Sequence, residues 1–338
     1  MSFFGTFDRD ELLKDGWEKD ATFQWGIPLH PQGELNAIDY LAQTPASPDE
    51  IRTRAFSIFM QLPFPIIINY IFMRNLAVSI RMVYQRPEAF APWCCLLQAS
   101  VGVIYTVNAL LYAFPGGPSC RHAVWIVGVG ITISQLCVGA TLLQKAYIVH
   151  HRNKRLLVLG ITLLLPQPLI IYFVWISPVI MAPPAGCLAC YPHYFPWVKF
   201  AMDMPINILF SVAFISVVYR QYRQFGTAAW ARLVRNGIRT MCLIVISNFV
   251  CMICAAFEVL SLLSQMFMLI DWIITSLLMI HHCENMRVSS AATKDSHKAD
   301  GRGIFSHIET ETSVFERHSS DENLRARRAG RKFFQMIR

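Results

Sequence analysis

Seven separate apolar runs of about twenty residues or more constrain this chain before anything else does, because a helix of that length crosses the hydrocarbon core of a bilayer. They cover 55–76, 92–114, 120–149, 156–180, 198–219, 240–260 and 262–281. Backbone groups inside lipid find no water to bond, so each run is expected to be an α-helix. The last two runs nearly merge, since the forty residues from Met241 to Ile280 are almost all apolar. That is too long for one crossing, and Glu258, Ser261, Ser264 and Gln265 mark a tight turn between two helices. Pro63, Pro65, Pro166, Pro168 and Pro205 fall inside runs and are read as kinks rather than breaks, because neighbouring groups satisfy the freed carbonyls. Composition agrees: 15% of residues are charged, against about a quarter in soluble domains. The expected fold is an all-α membrane protein, a seven-transmembrane helix bundle. A polar segment covers 1–54, the bundle 55–285, and a largely disordered tail rich in Ser and Thr covers 286–338.

Lys and Arg set the orientation, because basic loops resist translocation. With the N-terminus outside, the inner loops and span ends carry Arg74, Arg81, Arg86, Lys145, Arg152, Lys154, Arg155, Arg220, Arg223, Arg232, Arg235 and Arg239. The outer loops carry only Arg121 and Lys199, and the stretch from Arg287 onward adds eleven more basic residues on the inner side. Arg52 and Arg54 oppose this locally and are outvoted. The C-terminus is therefore expected in the cytoplasm and the protein in the plasma membrane. The net charge of +8 is spread over loops and tail, which argues against nucleic acid as a partner and for membrane lipid. The first 54 residues hold no apolar stretch after a basic start, so no cleavable signal peptide is expected and the first span directs insertion.

Of ten cysteines, Cys94, Cys95, Cys137, Cys242, Cys251 and Cys254 lie within spans and read as small packing residues. Cys120, Cys187 and Cys190 fall on the outer side, where oxidation is favoured, so Cys120 is expected to bond either Cys187 or Cys190. A zinc site from the Cys187/Cys190 pair would have only His193 nearby as a third ligand, half of what zinc needs. The pairs His150/His151 and His281/His282 lie at inner span ends without i, i+3 or i, i+4 His partners, so they read as solvated clusters. No metal, cofactor or enzyme activity is expected. Cys283 beside the membrane is a weak acylation candidate.

Ionisable groups inside a span are functional candidates by default. Asp203, Glu258 and Asp271 qualify. At 1.5 Å per residue, Asp203 and Asp271 lie within roughly 15 Å of the outer surface and are expected to share a vestibule. Only Lys199 and Arg121 are available to neutralise them, so a cationic or hydrogen-bond-donating ligand is one reading. The other is that Asp203 pairs with Lys199 at i, i−4 while Glu258 reaches the surface.

Seven spans, an external N-terminus, Cys120 heading the third span and a Cys-bearing second outer loop together resemble the G-protein-coupled receptor superfamily over residues 55–285. Lys145 stands twenty-five positions after Cys120, where the rhodopsin-like class places the Arg of its Asp-Arg-Tyr motif; Gln144 precedes it and Tyr147 is displaced by one. The sixth span lacks Cys-Trp-x-Pro and the seventh lacks Asn-Pro-x-x-Tyr. The resemblance is thus to divergent receptors of fungal or protist type. It implies an unidentified small-molecule or peptide ligand contacting Asp203, Asp271 and Glu258. It also implies a cytoplasmic face of Lys145, Arg223, Arg232 and Arg235 offered to a heterotrimeric G protein. The chief alternative is a small-solute transporter of PQ-loop type, for which Pro166-Gln167 is the signature; the apolar runs hold no second Pro-Gln dipeptide. A retinal pump is excluded because no Lys occurs between Lys199 and Lys294. The topology predicts that a tag before Ser2 is reached by antibody on intact cells while one after Arg338 is not; labelling of both together would require an even number of spans.

Overall fold

A computed structural model describes residue 13 and residues 17–43, 47–150, 153–183, 186–225, 228–259 and 264–299, giving helix without side chains over 217–225, 228–239 and 285–299. Among these residues the helices are α1 (Ala37–Ala42), α2 (Pro48–Gln61), α3 (Pro63–Gln85), α4 (Phe90–Leu111), α5 (Cys120–Val149), α6 (Lys154–Leu164), α7 (Leu169–Ile176), α8 (Phe195–Phe225), α9 (Ala228–Ala256) and α10 (Gln265–Ala299). Two antiparallel hairpins join them, β1 (Thr22–Gln24) with β2 (Ile27–Leu29) and β3 (Val179–Ala182) with β4 (Gly186–Ala189). The protein is mostly helical. Among the described residues five runs are long and apolar enough to cross a membrane: Pro48–Gln85, Phe90–Leu111, Cys120–Ile148, Lys154–Ile176 and Gln265–Glu284, with Cys242–Ala256 a shorter apolar helix. The chain divides into two compact units, Met1–Met286 and Arg287–Arg338. Everything below concerns the first; in the second, the residues described are the helical 287–299.

Helices form over the expected apolar runs, but among the described residues five rather than seven are long and apolar enough to cross a membrane, and there are three further adjustments with local causes. The first run starts at Pro48 rather than Ala55, because Asp49 and Glu50 sit in the first turn, where a helix N-terminus favours negative charge. Leu62 keeps right-handed helical angles (φ −63°, ψ −38°), and Pro63 falls in the first turn of α3, where a missing N–H costs nothing. The forty-residue apolar stretch is indeed two helices, but they stop and start at Ala256 and Gln265, with Glu258 in a left-handed turn conformation (φ 48°). Ser261 lies outside the described residues.

The third adjustment corrects the reading of Pro166 and Pro168 as kinks. Neither has an N–H to give, so the α ladder stops at Leu165 and shorter i→i−3 bonds take over: Gln167 N–H to Leu164 O (3.2 Å), Leu169 N–H to Pro166 O (3.0 Å) and Ile170 N–H to Gln167 O (3.1 Å). α6 and α7 are therefore separate helices, and Gln167 is turned into the protein, 1% exposed.

α5 is the axis of the packing. In its membrane-length window 56% of residues are buried, against 17% for Pro48–Gln85, so α5 is covered on most sides while the first run keeps a broad free face. Glycines on α5 make the close approaches: a Cβ on Gly128, Gly130 or Gly139 would collide with Val174, Trp272 or Leu164 respectively. Small residues let membrane helices gain dispersion contact where no hydrophobic force separates protein from lipid. Gly102 of α4 does the same for Phe72 of α3.

The N-terminal part, expected only to be polar, folds as a cap over the end of the bundle where α5 begins. Cys120 N–H donates to Leu35 O (3.0 Å), Ala37 N–H to Tyr112 O (3.3 Å), and Glu34 forms an ion pair with Arg121. Gly33 lies so close to Val179 of β3 that any side chain would strike its carbonyl. Covered this way, all four residues of β3 are buried. The β1–β2 turn places both Trp25 (φ 53°) and Gly26 (φ 78°) in the left-handed region, as a two-residue hairpin turn of the right twist requires. Stacking of Trp25 on Trp125 (5.8 Å), itself against Trp175 (5.4 Å), offsets that strain. Burial, then the nearby Arg121 charge, lowers the pKa of His30, in keeping with its Nδ1 accepting the Gln32 N–H (3.2 Å).

Cys120 bonds Cys187 of β4 (Cα–Cα 5.7 Å), the first of the two partners expected; Cys190 is buried outside that bond and its N–H donates to Pro178 O (2.8 Å). The bond spans 67 residues of sequence, for which the loop-entropy account gives about 4 kcal/mol. Cys120→Ser is therefore expected to lower the melting temperature in detergent by roughly 5 to 10 °C. Cys190→Ser, which leaves the bond intact, is expected to lower it by less.

Candidate functional site

Beneath the hairpin lies an apolar cavity of about 170 Å³. Tyr105 of α4, Val127 and Ile131 of α5, Phe195 of α8 and Met268 and Leu269 of α10 form its walls, and Gln61 and Gln265 bring amides to it. Both amides also hold the roof: Gln61 accepts the Cys187 N–H (3.2 Å) and donates to Cys187 O (3.3 Å), and Gln265 accepts the Ala189 N–H (3.4 Å). The disulfide thus ties the roof to α5 while Gln61 ties it to α2. At the other side of the cavity Tyr105 packs on Trp272 (5.8 Å), which also meets Phe72 (5.0 Å) and is 1% exposed.

Next to Trp272 in sequence stands Asp271, in a buried polar network that crosses four helices. Asp271 Oδ2 accepts from Gln135 Nε2 of α5 (3.2 Å) and Asn248 Nδ2 of α9 (3.1 Å), and Asn248 Oδ1 accepts from Asn207 Nδ2 of α8 (2.7 Å). Asp203 of α8 accepts from Lys199 Nζ one turn earlier (2.5 Å) and from Gln167 Nε2 at the proline break (2.8 Å). A second cavity, about 20 Å³, is lined by Gln135, Gln167, Asp203, Asn207 and Asn248 among others, so the two halves of the network meet there. Lys199 lies within electrostatic range of Asp271 as well. One ammonium stands near two carboxyl groups, and buried amides bond Asp203 Oδ1 and Asp271 Oδ2, while Asp271 Oδ1 is buried without a hydrogen-bond partner among the described residues.

This placement corrects the vestibule expected for the acids. Asp203 and Asp271 do come together, but neither lines the larger cavity, and Asp203 has its cation in Lys199. Glu258 sits in the α9–α10 turn with its carboxylate 3.8 Å from His193 Nδ1 and lines neither cavity. Lys145 meets His282 at the opposite end of the bundle. The side chains of Arg223, Arg232 and Arg235 lie outside the described residues. Gln135, Asn207, Asn248, Tyr105 and Trp272 were not singled out from sequence. A search of the apolar runs for amides, and not for charges alone, would have found the first three. Among the described residues no group of three or more His, Cys, Asp or Glu is placed to hold a metal ion.

No protein-family model matches the chain, and no curated protein matches it. Function therefore has to be argued from the site itself.

Removing one member of a buried ion pair strands the other charge, at a cost of about 3 to 5 kcal/mol. Lys199→Met is expected to destabilise the protein by that amount, read as a fall in melting temperature, while Lys199→Met with Asp203→Asn recovers most of the loss. A loss in the double variant equal to the sum of the Lys199→Met and Asp203→Asn losses would mean that the pair is not coupled.

Proposed function

We propose that this chain is a seven-span receptor in the plasma membrane, N-terminus outside, which passes an extracellular ligand signal to a cytoplasmic partner, a heterotrimeric G protein. The observation that carries the reading is the stacking of parts along α5: a roofed apolar cavity, Trp272 at its side, and Asp271 one residue further in a network joining α5, α8, α9 and α10. The ligand belongs in the cavity and is a small, mostly apolar molecule with one or two polar groups for Gln61 and Gln265. It displaces Tyr105 and Trp272, and Asp271 moves with Trp272. A shift of Asp271 changes which amides it can bond and so favours one of two packings of α8 and α9 against α5, by differential affinity of the ligand for the two. The adjoining ends of α8 and α9, bearing Arg223, Arg232 and Arg235, and the end of α5 bearing Lys145 carry that change to the partner.

The reading is tested by reconstituting the protein in nanodiscs with a G-protein heterotrimer and measuring GDP release. Release faster than with empty discs is expected, reduced when Arg232 and Arg235 are neutralised together. Asp271→Asn is expected to shift the balance of packings by about 1 to 3 kcal/mol, the range of a charged hydrogen bond, without unfolding the protein. A second reading, a small-solute transporter, is favoured by one feature: the helix broken at Pro166-Gln167-Pro168 delivers Gln167 to a buried carboxylate, and broken helices line transporter sites. Solute uptake into proteoliposomes with no acceleration of GDP release would decide for it.

A further inference from the structure

Two pairs of thiols meet at the end of the bundle opposite the disulfide. Cys94 and Cys95 are consecutive on α4, so their side chains diverge by about 100° around the helix. Cys94 faces α5, where Cys137 is buried in the same cluster. Cys95 faces α10, where its sulfur lies 3.7 Å from that of Cys283. Cys95 is 1% exposed and Cys283 is partly exposed. Lys145 of α5 stands within electrostatic range of both Cys95 and Cys283.

Buried thiols in membrane helices usually do no more than pack. This pair differs in three respects. The sulfurs are already in contact across 188 residues of sequence, so a bond requires only about 1.7 Å of closure to the usual sulfur–sulfur length. One of the two reaches the surface, and so does an oxidant approaching it. A cation stands beside it to stabilise negative charge on the sulfur as it attacks.

We propose that Cys95 and Cys283 form a reversible disulfide under peroxide, a modification site that ties α4 covalently to α10. Cys283 sulfur attacks one oxygen of hydrogen peroxide. The O–O bond breaks, the departing hydroxide takes the thiol proton as water, and Cys283 becomes a sulfenic acid. Cys95 sulfur then attacks the sulfenic sulfur, the S–S bond forms, the S–O bond breaks, and a second water leaves with the Cys95 proton. Two thiols lose two electrons, and one peroxide gains them. A dithiol reductant reverses the bond by exchange. In the receptor reading this end faces the reducing cytoplasm, where such bonds are transient and regulatory, and the tie would fix α10 against α4 next to Lys145 and weaken coupling. That consequence rests on the receptor reading, whereas the bond does not.

The full chain in nanodiscs, treated with hydrogen peroxide, then alkylated, digested and analysed by mass spectrometry, tests this. The expected product is a peptide pair linking Cys95 to Cys283, two hydrogens lighter than the sum of its parts and cleaved by dithiothreitol, with Cys94 and Cys137 still alkylated. Cys95→Ser and Cys283→Ser each abolish the link, and Cys94→Ser keeps it. The proposal is overturned by a Cys94–Cys137 link in its place, or by Cys283 found only as sulfinic or sulfonic acid. It is equally overturned if Cys95 and Cys283 stay free thiols at a dose that oxidises the exposed Cys242. A link that forms without changing GDP release supports the modification and overturns only its effect on coupling, whereas GDP release no faster than with empty discs counts against the receptor reading alone.

Discussion

Hydrocarbon offers a polar side chain no hydrogen bonds, so every such group carried into the bundle has to be satisfied by another. The Lys199–Asp203 pair is where that demand is heaviest, with side chains 1% and 4% exposed. Its members are one turn apart on α8, which fixes their proximity but leaves each with further bonding capacity. Gln167 reaches Asp203 only because two prolines interrupt the fourth run and tighten its backbone into i→i−3 bonds. The break in the helix is thus part of the polar network. Asp271, sharing the same ammonium at longer range, recruits Gln135 and Asn248, and through Asn248 it reaches Asn207. Four helices are registered against one another by these contacts, in a setting where lipid supplies no hydrophobic force to press them together.

The cavity beside this network is a consequence of its roof. A two-stranded hairpin alone is marginal, yet β3 is buried along its length because the cap packs on one side and the bundle on the other. The Cys120–Cys187 bond and the two Gln61 hydrogen bonds hold β4 across α5 and α2. Side chains below it do not fill the space, and Trp272, wedged between Gly130 and the rings of Tyr105 and Phe72, separates apolar cavity from polar network by a single residue. The carboxyl groups thus register the helices, while the walls of the cavity are apolar.

Sulfur plays opposite parts at the two ends. Cys120 and Cys187 join a loop to a helix and lock the roof, while Cys95 and Cys283 sit in contact without a bond. The difference follows from the helices that carry them. α4 presents consecutive cysteines to two neighbours at once, which makes the pairing at this end a choice between Cys137 and Cys283.

Apolar length and basic-residue placement belong to the chain itself, so the existence of the helical runs, the split of the stretch from Met241 to Ile280 and the candidacy of Cys120 for a bond were legible without any structure, whereas the helix ends were not. Asp203 and Asp271 were legible too, because a charge inside an apolar run is conspicuous. Their surroundings were not. Gln135, Asn207 and Asn248 look unremarkable in a membrane helix until the helices are rotated about one another, and rotation is set by the glycines at 128, 130 and 139 meeting particular side chains on other helices. The sequence offered Asp203 either a ligand or Lys199, and Cys120 either of two partners. Lys199 is one turn from Asp203 on the same helix, so helical spacing already favoured it; tertiary packing chose Cys187, because a covalent bond depends on distances of a few ångströms that no linear spacing encodes across separate elements.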